Sequence, residues 1–64
     1  MTKKEMMNAV IAYSSKDENK NSDGSINWNF VDADLWMDRV ITEENQTEMY
    51  VLFNDCADEI ELSA

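Results

Sequence analysis

"INWNFVDADLWMDRVI", residues 26–41, fits two secondary structures at once, and the choice between them decides the fold. Ile26, Trp28 and Phe30 alternate with asparagines in the manner of a short strand. Ile26, Phe30, Ala33, Met37, Val40 and Ile41 also recur at spacings of 4, 3, 4, 3 and 1, an apolar stripe held over four helical turns. The longer pattern outweighs the shorter and predicts a helix over about residues 27–41. Trp28, Val31 and Leu35 form a second apolar stripe on the far side of that helix. A helix that is apolar on two sides either lies between two others or offers one side to another chain.

Working outward, "TKKE" at residues 2–5 has the form of a capping box. Met6, Met7, Val10 and Ile11 follow on one helical face, so a helix is expected at about residues 3–15. The polar stretch from about 16 to 25 holds the single glycine and reads as a flexible loop. Beyond "TEENQ", Met49, Phe53, Cys56 and Ile60 repeat at 4, 3 and 4, with Leu52 and Ala57 on the same face. Asn45 with Glu48, or Thr47 alone, is positioned to cap this third helix at about residues 47–61. The resulting expectation is one all-α, three-helix domain over residues 1–64. The rival is an α+β fold with a hairpin over 38–53, since "RVIT" and "EMYVLF" are β-prone in composition. Absence of proline and the loop placement of the glycine favour helices.

A chain of 64 residues buries little core and commonly needs a staple, a metal or a second subunit. Cys56 is the only cysteine, so no internal disulfide forms, and an unpaired thiol suits a reducing cytoplasm. No apolar run approaches the ~20 residues of a membrane span. Charge is the most informative property. Residues 1–31 are electrically balanced, whereas residues 32–64 carry ten acids against Arg39 alone and account for the whole net charge of −9. Direct contact with nucleic acid or an anionic membrane is disfavoured, and a basic protein surface is the natural counterpart.

"NKNSDGSIN", residues 19–27, imitates half of an EF-hand loop, with Asn19, Asn21 and Asp23 at positions 1, 3 and 5 and Gly24 at 6. Position 12 is Phe30 rather than a bidentate carboxylate, and position 1 is neutral. Calcium binding is a minor alternative, and the preferred reading is a connector that turns at Asp23–Gly24. No metal or other cofactor is expected.

The chain has no histidine, no glycine-rich phosphate loop and no cysteine pair, which removes every His-dependent triad. A carboxylate pair such as Asp34 with Asp38 needs a cleft that so short a chain can hardly enclose. Cys56 falls on a buried face and reads as a core residue. An enzyme is not expected. The candidate partner-binding residues are Asp34, Asp38, Glu43, Glu44, Glu48, Asp55, Asp58 and Glu59, set on polar helix positions and the intervening turn. Carboxylates one helical turn apart, about 6 Å of rise, present regular negative charge to a surface shaped for phosphates. In size and charge alone, the chain resembles the small acidic DNA-mimicking inhibitors of nucleic-acid-binding enzymes found in phages and plasmids. The reading from a different class is a small structural or regulatory subunit that docks through apolar helix faces. Under it, Trp28, Val31 and Leu35 would mediate self-association as a homodimer.

Overall fold

The computed structural model describes residues 1–63. It is all-α: helix α1 spans Lys3–Ser14, α2 spans Trp28–Met37 and α3 spans Gln46–Ser63. A single turn of 3-10 helix at Asp17–Asn19 and an isolated antiparallel bridge between Lys20 and Ile26 occupy the first connection. The hairpin alternative for residues 38–53 is overturned, because Gln46 onward is continuous helix and 38–45 is a connector. Met49, Phe53 and Cys56 supply the reason: all three are buried, and only a helical period puts them on one side.

Each start has a local cause. Thr2 caps α1 through a complete capping box: the Glu5 N–H donates to Thr2 Oγ1 at 3.2 Å, and the Thr2 N–H donates to Glu5 Oε1 at 2.9 Å. Asn27 caps α2 by accepting from the Phe30 N–H at 3.4 Å. Ahead of α3, Asn45 faces backwards. Its Oδ1 accepts from the Thr42 N–H at 2.7 Å and its Nδ2 donates to the Val40 carbonyl at 3.2 Å, so it braces the connector instead of capping the helix.

Helix α2 ends four residues earlier than its apolar spacing suggests. Asp38 is the last half-helical residue, and Arg39 adopts φ 61°. The Arg39 N–H donates to Trp36 O at 3.1 Å and the Val40 N–H to Leu35 O at 2.9 Å, which is the paired hydrogen bonding of a Schellman stop. Glycine normally fills the left-handed position, and here an arginine does. Val40 and Ile41 therefore lie beyond the helix, where Ile41 is fully buried as a plug from the connector.

The core consists of Met6 and Val10 from α1, Val31 and Leu35 from α2, Ile41, and Met49, Phe53 and Cys56 from α3. Helix α1 packs mainly on α3 and secondarily on α2. Side chains join α2 to α3 along one edge. The Trp28 ring meets Phe53 edge-on at 6.0 Å, and Trp36 Nε1 donates at 2.6 Å to Tyr50 Oη, whose hydroxyl donates to Asp32 at 2.8 Å.

This packing corrects the self-association face. Val31 and Leu35 are 0% exposed within a single chain, and Trp28 is half-buried against α3. The Trp28–Val31–Leu35 stripe is the inner face of α2 and offers nothing to a second copy. Within α2 the members of the longer stripe turn outward, with Phe30 52% exposed, Met37 78% and Ala33 in the open between them, whereas Ile26, Val40 and Ile41, outside the helix, pack against or into the core.

Candidate interaction surfaces

The acids expected to bind a partner divide into two sets once their neighbours are known. Asp34 and Asp38 belong to a polar knot that joins α1, the 3-10 turn and α2. Asn19, itself buried, donates Nδ2 to Asp34 at 2.7 Å and to the Tyr13 carbonyl at 2.9 Å. Lys16 approaches Asp34 at 3.6 Å and lies over the Tyr13 ring. The Tyr13 hydroxyl donates to Asp38. That hydrogen bond, with burial and the negative charge of Asp38 and Asp34, pushes the Tyr13 hydroxyl up to about 12. Glu59 is similarly engaged, accepting from Lys3 Nζ at 2.6 Å at an exposed pair that ties α1 to α3. The hydrogen bond and the charge of Glu59 raise the Lys3 pKa. These three carboxylates brace the fold.

Glu43, Glu44, Glu48, Asp55 and Asp58 are exposed and enter no side-chain hydrogen bond or ion pair among the described residues. Glu43 and Glu44 sit in the connector and the other three on α3. Sequence reading missed two acids with structural work: Glu61 accepts the Trp28 indole N–H at 2.6 Å, and Asp32 accepts from Tyr50. Nothing in the spacing of residues 28 and 61 signals that long-range bond.

Helix α3 carries five acids and no basic residue over 18 positions. Its outward line is Glu48, Val51, Asp55, Asp58 and Leu62, at successive spacings of 3, 4, 3 and 4. At 3.6 residues per turn this line lies about 150° round the helix from Met49, Phe53, Cys56 and Ile60, and extends for about 21 Å. All five of its members are exposed, with Val51 at 60% and Leu62 at 87%. Asp58, Glu59 and Glu61 lie towards the end of α3 where the helix dipole is negative, and the helix has no basic residue of its own in the last turn; Lys3 of α1 offsets Glu59.

The calcium-like positions do not converge. Asn19 turns inward to Tyr13 and Asp34, Asn21 Nδ2 donates to Ser25 Oγ at 2.9 Å, and Asp23 Oδ1 accepts from the Ser25 N–H at 2.9 Å and its hydroxyl at 2.6 Å. Gly24, at φ 87°, completes the turn. No group of three or more Cys, Asp or Glu side chains is arranged to hold a metal among the described residues. The buried Cys56 thiol contacts the Lys3 carbonyl, and burial pushes its pKa up. A shallow groove between α1 and α3, lined by Met7, Ile11, Ile60 and Ser63, is open to solvent and has Glu59 as its one ionisable side chain. No helix among the described residues is long and apolar enough to cross a membrane.

Comparison of the chain with protein-family models, with curated proteins and with solved structures gives no significant match.

Proposed function

We propose that the protein is a non-enzymatic binding module that presents the outer face of α3 to a basic protein surface. The observation that carries this reading is the composition of that helix, with five acids, no base, and its outward Glu48, Asp55 and Asp58 in no side-chain hydrogen bond or ion pair among the described residues. Glu59 and Glu61 are held by Lys3 and Trp28, but Asp58 adds a further acid three residues from both Asp55 and Glu61, and like charges at that helical spacing cost stability. A surface kept only for solubility has no reason to accept that cost. An acidic face with a cationic counterpart does.

The more specific form of the proposal is competition for a nucleic-acid site, in which the carboxylates occupy places meant for phosphates. Such an inhibitor would act in the cytoplasm, where the free Cys56 remains reduced. The test is capture of a partner from cell lysate at low and at moderate salt, followed by competition with duplex DNA. Reversing the charge of Glu48, Asp55 and Asp58 together should abolish capture, while reversing Asp17 and Glu18, exposed acids outside α3, should leave it intact. Equal capture by both variants would sink the reading.

A second reading rests on a different observation. Phe30 and Met37 stand exposed on the outer side of α2 with Ala33 between them. Under it the protein is a structural or regulatory subunit that docks through this strip, and its acids only solvate it. Binding would then persist at high salt and fail in Phe30→Ser.

A further inference from the structure

We infer that the partner element lying on α3 is itself a cationic amphipathic helix, packed lengthwise along the Glu48–Val51–Asp55–Asp58–Leu62 line; this rests on the acidic-face binding proposed above and departs from its nucleic-acid-competing form. The five positions run in one straight line along α3, so an element laid lengthwise on the helix meets all of them. Two of the five positions are apolar and open to solvent, Val51 and Leu62, separated by 11 residues or about 16 Å along the axis. A surface that imitates phosphates alone gains nothing from Val51 and Leu62, because a basic groove built for phosphates would bury them against charge. A helix with apolar side chains opposite those two positions covers them. Its lysines or arginines then face Glu48, Asp55 and Asp58.

A second copy of this chain does not fit the same line. It would set the acids of one α3 against those of the other with no base on either helix. Charge complementarity therefore selects a cationic helix over self-pairing.

The experiment uses the full chain and two synthetic 21-residue peptides of equal composition and charge. In the matched peptide, leucines fall opposite Val51 and Leu62 and lysines opposite Glu48, Asp55 and Asp58. In the permuted one, the same residues are spread around the helix. Titration at about 150 mM salt, where exposed charges are screened beyond about 8 Å, should show the matched peptide binding at least tenfold more tightly. It should also gain helical circular dichroism on binding. The double substitution Val51→Ser with Leu62→Ser, at exposed positions that leave the fold intact, should erase the difference. Equal affinity for the two peptides overturns the helix inference and leaves the acidic-face reading standing. Failure of both peptides to bind overturns both. A dimer of the free chain in sedimentation equilibrium that these substitutions abolish would assign the line to self-association and also overturn the inference.

Discussion

Arg39 and Tyr13 show how single positions set the limits of the elements. Arg39 holds a left-handed backbone, which costs a residue with a Cβ about 1–2 kcal/mol relative to glycine. Its Schellman hydrogen bonds force that geometry, so Arg39→Gly should stabilise the protein by about 0.5–1 kcal/mol after the greater chain entropy of glycine is counted. Urea unfolding should show a higher midpoint at unchanged slope, and Arg39→Ala, which keeps the Cβ, should not share the gain. Tyr13 makes a pH-dependent contribution of known sign. Its folded pKa of about 12 lies above the ordinary tyrosine value of 10, so the neutral hydroxyl is favoured in the folded state. The stabilisation is complete below pH 10 and disappears as pH rises through about 12. Ultraviolet titration of a Tyr50→Phe variant should place the remaining tyrosine's ionisation near 12, and adding Asp38→Asn should bring it down. A midpoint near 10 without the second substitution would remove the Tyr13–Asp38 bond from the account.

Among the elements, α2 separates what the sequence reveals from what it hides. Leu35→Ala removes a fully buried side chain and should cost about 2–4 kcal/mol, whereas Met37→Lys, at 78% exposure, should change stability by less than about 0.5 kcal/mol. Thermal unfolding of the two variants tests the face assignment, and the reverse order would restore the other stripe to the core. The sequence contains both stripes and cannot rank them by period, because each repeats at helical spacing. Tertiary partners rank them: Trp28 finds Phe53 and Glu61, Trp36 finds Tyr50, and these bonds turn the shorter stripe inward. The helix ends follow the same logic. Thr2 and Glu5 are written three residues apart and were readable, as was the buried face of α3, whose apolar members recur at one period only. The stop at Met37 was not readable, since the residue in the left-handed position is an arginine and Val40 and Ile41 prolong the apolar pattern past it. The acids divide similarly. Glu48, Asp55 and Asp58 remain free on α3, while Asp34, Asp38 and Glu59 are claimed by Asn19, Tyr13 and Lys3, residues distant in sequence.

For the molecule as a whole, stability and binding should respond to charge with opposite signs. A net charge of −9 on 64 residues makes the folded state repel itself, and ten of the fourteen acids lie after residue 31 with only Arg39 to offset them. Added salt screens that repulsion, so the Tm should rise when sodium chloride is raised from about 10 mM to about 500 mM. The contact between α3 and a basic partner is the reverse case, being an attraction between exposed charges, and its affinity should fall over the same range. Asp58→Lys concentrates both effects at one site. It replaces an acid with a base three residues from both Asp55 and Glu61, which should stabilise the folded chain by about 0.2–0.5 kcal/mol for each pair so formed. It also places a cation on the proposed docking line, so partner affinity should drop while the Tm climbs. A variant that gained stability and kept its affinity would show that the acids of α3 serve solubility alone. A variant that lost both would assign Asp58 a structural role, although it enters no side-chain hydrogen bond or ion pair among the described residues.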